Sequence, residues 1–174
     1  TTDGVSPRLL PGVAGQYYQA NSYEHLPDSH TSEDGAVRIQ QVNKRAKKMT
    51  TYLQEDWAAP TVYGSLATAE IVLVTWGSQK IPCRAAQTLL AEKNIPTALI
   101  HFTHLYPLDR QKLSELFASI TVPLLLVENN STGQLGKLLM EETHIELADQ
   151  LLKFDGKPHF QEEIVAAVQT RLKK

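Results

Sequence analysis

Six consecutive residues constrain this chain more than any other feature. Ile71-Val72-Leu73-Val74-Thr75-Trp76 is an almost unbroken apolar run rich in β-branched side chains. A strand with one wet face alternates polar and apolar residues, so a run without alternation has to be covered on both faces, as in the interior of a parallel sheet. The downstream residues repeat the theme. Gly77-Ser78 ends the run, and Ser78 is placed to cap a helix with Pro82 in its early turns and Ile81, Ala85 and Leu89 on one face. The pattern then predicts a strand over 97–102, a helix from about Leu108 carrying Leu113, Leu116, Phe117 and Ile120, and a strand over 123–128. A third helix places Leu135, Leu138 and Leu139 inward. A short extended segment near 151–154 and a last helix over about 160–172, with the stripe Ile164, Val168 and Leu172, complete the chain. Strands separated by helices of this length imply an α/β fold, a three-layer α/β/α arrangement around an open, mainly parallel sheet with right-handed crossovers.

The residues before this region obey other rules. Residues 1–32 contain Pro7, Pro11 and Pro27, Gly4, Gly12 and Gly15, and little apolar periodicity, which reads as extended, irregular chain. Ser32 to Gly35 form a plausible helix start, after which Val42, Ala46, Met49 and Leu53 fall on one face of a helix predicted over 33–56. Its other faces carry Arg38, Lys44, Arg45, Lys47 and Lys48, either a solvated basic surface or a grip for an anion. Pro60 after Ala58-Ala59 blocks continuation. The expected division is therefore 1–60, an extended linker plus long helix, and 61–174, the α/β domain. Thirty residues that build no core suggest a piece of something larger.

Composition excludes several roles. Lys and Arg total 17 against 19 Asp and Glu, a formal charge of -2, so no global field draws the chain to nucleic acid. No apolar stretch reaches the about 20 residues that span a bilayer, and the first residues lack the apolar core of a signal peptide, pointing to a cytoplasmic protein with no membrane partner. Cys83 is the single cysteine. It cannot form an internal disulfide, and an iron–sulfur cluster would need several thiolates, so any cluster belongs to another chain.

In open parallel sheets ligands collect beyond the carboxyl ends of the strands, which singles out the loops after Trp76, Phe102 and Val127. The third is the most unusual. Glu128-Asn129-Asn130-Ser131-Thr132-Gly133-Gln134 puts a carboxylate, amides, hydroxyls and a glycine at a helix start, where free backbone N–H groups can receive an anion. The plainer alternative is capping by Ser131 or Thr132, with Asn129 and Asn130 satisfying the turn. Gly77-Ser78 lacks the lysine and glycine pattern of a phosphate loop. His101 and His104 could share a metal only with a third ligand that the sequence does not supply, and reading them as ordinary hydrogen-bonded side chains is simpler. His25 and His30 sit among Glu24, Asp28 and Glu33 in irregular chain, and Cys83 has no base placed near it, so it reads as a packing residue. No nucleophile, base and orienting group assemble from spacing.

Longer stretches carry a resemblance. Gly4-Val5-Ser6-Pro7-Arg8 with Pro11-Gly12, Tyr23-Glu24-His25, Glu33-Asp34 with Arg38, and Lys44-Arg45 with Lys48 resemble the segment leaving the pyrimidine-type domain of 2-oxoacid:ferredoxin oxidoreductase α subunits. Thr75-Trp76-Gly77-Ser78, His101-Phe102, Tyr106-Pro107, Val127 to Leu135 and Lys153-Phe154-Asp155-Gly156-Lys157-Pro158 look like that family's transketolase C-terminal-like, Rossmann-like domain. Among its branches the chain looks nearest to the 2-oxoglutarate type. Trp57, Ala58-Ala59 and Lys80 to Cys83 depart from the pattern. The resemblance implies an enzyme that decarboxylates a 2-oxoacid, 2-oxoglutarate in this branch, reduces ferredoxin and forms an acyl-CoA and CO2. It also implies that thiamine diphosphate with Mg2+ lies between an upstream thiamine-type domain and the β subunit, which carries [4Fe-4S] clusters. The family's catalytic and cofactor-binding residues have no positions here, so this chain is expected to be catalytically silent alone and to serve assembly. Arg8, Glu128, Asn129, Asn130, Thr132, Gly133 and Gln134 are the expected interdomain contacts, with Asn129 and Gln134 as donors. The rival is a free-standing α/β module that takes a phosphate or nucleotide at 129–134.

Overall fold

The computed structural model describes residues 2–173. The chain forms two compact units, Thr1–Trp57 and Ala58–Lys174.

The first unit is one long helix and the chain that runs back along it. Helix α1 spans Gly35–Glu55, and Asp34 caps it by accepting from the N–H groups of Ala36 (2.7 Å) and Val37 (3.1 Å). None of its residues is buried, and Val42 and Met49 stay 45% and 36% exposed, so the apolar face read from the sequence is uncovered within the unit. The preceding segment is extended, with a single bridge between His25 and Thr31. Polar clips hold it to the helix. Thr51 Oγ1 donates to the Asp3 carbonyl (2.7 Å), Lys44 Nζ to Ser6 Oγ (2.5 Å), and Gln41 Nε2 to the His25 carbonyl (3.4 Å). Arg45 forks onto Glu24 at 2.6 and 2.9 Å, with Arg38 at 3.8 Å. The Arg45 hydrogen bonds hold the Glu24 carboxyl below its ordinary range. Part of the basic surface of α1 thus binds the chain's own carboxylate. Gly4 enables the closest approach: a Cβ there would lie 2.5 Å from the Lys48 nitrogen and 2.6 Å from the Lys44 oxygen.

The second unit is a sheet between two helix layers. Strands β1 (Thr61–Tyr63), β2 (Ile71–Trp76), β3 (Thr97–Phe102), β4 (Leu124–Glu128) and β5 (Gln150–Leu152) lie in the order β1-β3-β2-β4-β5. All neighbours are parallel except β1, which runs antiparallel to β3 at the edge. Helices α2 (Lys80–Glu92) and α5 (Gln161–Leu172) pack together on one face, while α3 (Arg110–Ala118) and α4 (Gln134–Thr143) pack together on the other. Register explains the core. Leu73 lies between Leu99 and Leu125, and Val74 between Ile100 and Leu126, so alternate rows feed opposite faces, all fully buried. Leu73, Leu99 and Leu125 meet Cys83, Ala86 and Leu90 of α2 and Ile164, Val165 and Val168 of α5.

Three details differ from the sequence reading. Helix α2 turns Cys83, Ala86, Gln87 and Leu90 inward; of the expected face, Leu89 packs half-buried against the core, while Ile81 is 77% exposed. The small side chains of Cys83 and Ala86 allow the helix to sit close to the sheet, and a 3-10 turn, Gly77–Gln79, re-phases its start. That turn also replaces the cap expected from Ser78, since no side chain caps either helix start. Finally, β1 carries too short a pattern, three residues, to announce a strand. No helix among the described residues is long and apolar enough to cross a membrane.

Candidate functional site

The connection from β2 leads one way along the sheet and that from β4 the other, so the loops after these adjacent strands diverge, the position at which open parallel sheets form their crevice. Three loops surround it: 77–79 after β2, 128–134 after β4, and 153–159 after β5.

The β4 loop is organised by Glu128, whose side chain is fully buried. Its Oε1 accepts from the Leu135 N–H at 2.7 Å and its Oε2 from Asn130 Nδ2 at 2.5 Å. Asn130 Oδ1 in turn accepts from the N–H groups of Thr132 (3.0 Å), Gly133 (2.8 Å) and, at greater length, Gln134 (3.4 Å). The start of α4 is therefore capped by Glu128 and Asn130, not by Ser131 or Thr132. Gly133 is required by its conformation (φ +61), and a Cβ there would come within 2.6 Å of Gln150 Oε1. These N–H groups were the ones a phosphate would have used. With the N–H groups of 132–135 bonded inside the loop and a carboxylate seated at the helix start, these four are already engaged and weigh against an anion there.

Asn129 is also spent internally. Its Nδ2 donates to the carbonyls of Lys157 (2.9 Å) and Lys153 (3.3 Å), and the Lys153 N–H donates back to the Glu128 carbonyl (3.0 Å). The donor expected to reach across a domain interface instead fastens the β5 loop to the end of β4. Thr132 and Gln134 are exposed, as is Arg8 in the first unit. In the β5 loop, Lys153 Nζ binds both carboxylate oxygens of Glu163 (2.7 and 2.8 Å) and stands 5.1 Å from the centre of the Phe160 ring. Asp155 turns the loop by accepting from the Lys157 N–H (3.0 Å). Leu151 to Asp155, His159 and Glu163 line an open depression of about 430 Å3.

The β2 turn is held by two histidines. His101 Nε2 donates to the Gly77 carbonyl (2.9 Å), and His159 Nδ1 lies 3.0 Å from Gln79 Oε1. Thr75 Oγ1 donates to the Val127 carbonyl (2.6 Å), tying β2 to β4 beneath them. The sequence reading missed His159 and Gln79, which are 80 positions apart and carry no spacing signal. His104 bonds its neighbour Thr103 at 3.2 Å, whereas His101 bonds the Gly77 carbonyl. His25 meets the Tyr18 hydroxyl (2.9 Å) and His30 meets Asp28 (3.2 Å), contacts that shape the first unit's loop. Among the described residues no three His, Cys, Asp or Glu side chains could hold a metal ion. Burial pushes the Cys83 thiol up to about 12, leaving it protonated and inert. The hydrogen bonds of this edge fix its own loops.

No protein-family profile matches the chain. Individual proteins do. The chain is 29% identical over 170 residues to the α subunit of 2-oxoacid:ferredoxin oxidoreductase 1 of Sulfurisphaera tokodaii, an alignment covering 97% of this chain and 26% of that one. It is 33% identical over 143 residues to the corresponding α subunit of Aeropyrum pernix, covering 80% and 22%. This chain is similar to 2-oxoacid:ferredoxin oxidoreductase α subunits. It spans about a quarter of the length of these relatives. Its fold matches that of a 2-oxoglutarate:ferredoxin oxidoreductase from Magnetococcus marinus, solved with 2-oxoglutarate, coenzyme A and succinyl-CoA bound. The TM-score is 0.75 at 23% identity, over 99% of this chain and 30% of that one.

Proposed function

We propose that this chain is the C-terminal part of a 2-oxoacid:ferredoxin oxidoreductase α subunit and serves assembly, not catalysis. The similarity that runs through 97% of it carries the reading. Support comes from the carboxyl edge, where Glu128, Asn129 and Asn130 secure the protein's own loops. The groups that the complete enzyme would need do not fit here. A [4Fe-4S] cluster requires about four thiolates, and Cys83 is alone and buried. A diphosphate would meet the Glu128 carboxylate at the one strand-end loop that resembled its cradle. Thiamine diphosphate, Mg2+ and the clusters are assigned to an upstream thiamine-type domain and a β subunit, with coenzyme A and ferredoxin acting on the cytoplasmic complex. The proposed substrate is 2-oxoglutarate, after the enzyme whose fold it matches. Exposed Arg8, Thr132 and Gln134 are the contacts assigned to neighbouring domains.

Reconstituting the complete α subunit with its β subunit tests this. Turnover with 2-oxoglutarate should exceed that with pyruvate or branched-chain 2-oxoacids, and Gln134→Ala should weaken co-purification of α and β while leaving the melting temperature of the isolated chain unchanged. Calorimetric binding of thiamine diphosphate to the isolated chain, or its oxidation of any 2-oxoacid, would overturn the assembly reading.

A further inference from the structure

His159 and Gln79 form a contact that the assembly reading does not use. Both side chains are buried, His159 at 4% and Gln79 at 5% exposure, and they join the β5 loop to the turn that ends the central strand. The amide oxygen of Gln79 can only accept, so His159 carries a proton on Nδ1, and in the neutral ring this leaves a bare lone pair on Nε2. That Nε2 is buried and has no hydrogen-bond partner among the described residues. Neutral, the arrangement costs one unmade bond to a neutral acceptor, far less than a buried charge would. Adding a proton to Nε2 creates a buried cation with an unpaired donor, which the site disfavours.

The surroundings offer an outlet. His159 lines the open depression with Asp155 and Glu163, so a rotation of the ring toward that side takes the new N–H to water and toward two carboxylates. The charges acting on the ring in place are Glu163 of α5 and Lys153 and Asp155 of the β5 loop. Burial outweighs them and holds the ring's pKa below the ordinary 6.5, with the carboxylates opposing and the ammonium assisting. On the α2 side, Lys80 and Arg84 are turned to the Tyr63 ring, 5.1 and 4.7 Å from its centre. A ring released to solvent binds its proton near 6.5, so the held position has its full advantage above that pH and loses it as pH falls below.

We propose that His159 is a two-position latch on the Gly77–Gln79 turn: neutral, it is seated on Gln79 and holds the turn; protonated, it moves into the depression and frees the turn at the crevice between β2 and β4. His101, bonded to the Gly77 carbonyl, remains as the second anchor, so release loosens the turn without detaching it. The latch is a property of this chain and stands or falls apart from the assignment to a multisubunit enzyme.

Side-chain and backbone nuclear magnetic resonance on the 174-residue chain, titrated from pH 8 to pH 5, tests it. The His159 ring nitrogens, the Gln79 side-chain amide and the Lys80 amide, which closes the turn onto Gly77 and Ser78, should move with one shared midpoint below 6.5. Exchange protection at Lys80, corrected for intrinsic rates, should fall over the same range while that of Ile100 in the central sheet holds. In His159→Gln, a neutral donor that cannot titrate, the turn should stay protected throughout. Should that variant not fold, Gln79→Ala gives the second arm: the turn should be unprotected already at pH 8 and His159 should titrate nearer 6.5. The latch is refuted if His159 titrates while Gln79 and Lys80 stay still, if Ile100 loses protection in step with Lys80, or if His159→Gln loosens in acid as the native chain does.

Discussion

The two units of this chain are held by opposite kinds of force. The second unit buries whole rows of side chains, such as Leu73 between Leu99 and Leu125, under two helix layers. The first unit has a 21-residue helix without one buried residue, and its order comes from separate hydrogen bonds and one charged fork onto Glu24. Apolar burial is non-directional and survives changes of pH and salt, whereas exposed ionic clips are screened and titrate. The difference teaches that a chain can look equally ordered along its length and yet respond to its surroundings in two separate ways.

The sharpest way to break this contrast is a matched pair of truncations. Leu99→Ala should lower the unfolding free energy of the second unit by about 2–5 kcal/mol, because the sheet cannot collapse around the void. Met49→Ala in α1 should stay within about 0.5 kcal/mol. Urea denaturation followed by circular dichroism measures both, and equal losses would show that α1 is covered in solution as deeply as the sheet is. A smaller effect is expected from Glu128→Ala, which deprives the Leu135 N–H and the half-buried Asn130 Nδ2 of their acceptor, at about 1–3 kcal/mol, chiefly for the buried Leu135 N–H left unpaired. Thermal melts of that variant should show the loss, with Glu128→Gln recovering only part of it, because its amide offers one accepting oxygen for two donors. The mildest perturbation is acid. The Glu24 carboxyl has its pKa depressed from 4.5 in the folded chain, so its clip acts fully above that value and fades as pH falls through the lowered one. Limited proteolysis of residues 7–23 should accelerate below pH 4.5, and in high salt at neutral pH, while the second unit remains intact. Cleavage that ignores both pH and salt would mean the fork onto Arg45 holds nothing.

Legibility in the sequence divides along the same line. Strands β2, β3 and β4 announced themselves because burial on both faces demands unbroken apolar runs, and α5 because Ile164 and Val168 repeat at helical spacing. The phase of α2 was illegible, since it depends on a 3-10 turn whose residues Gly77, Ser78 and Gln79 read equally well as an ordinary helix start. At the candidate edge, the polar character of 128–134 was evident but its wiring was not. Sequence favours Ser and Thr as caps, yet a buried glutamate at the end of a strand takes the Leu135 N–H in the first turn of the helix. The Glu24 fork and the His159 contact were invisible because they join residues 21 and 80 positions apart, with nothing periodic between them.

The outermost strands have one more consequence. β1 and β5 are three residues each, against five or six for the strands inside. A sheet recruits another chain through the unpaired N–H and C=O groups of its rim, and each rim here presents only a few of them. An added strand would find too short a ladder to grip, so β-addition, whether to a proper partner or to a misfolded copy, is discouraged at both ends. Any protein that associates with this domain is left to do so through side chains and loops, whose shapes and charges can tell one neighbour from another.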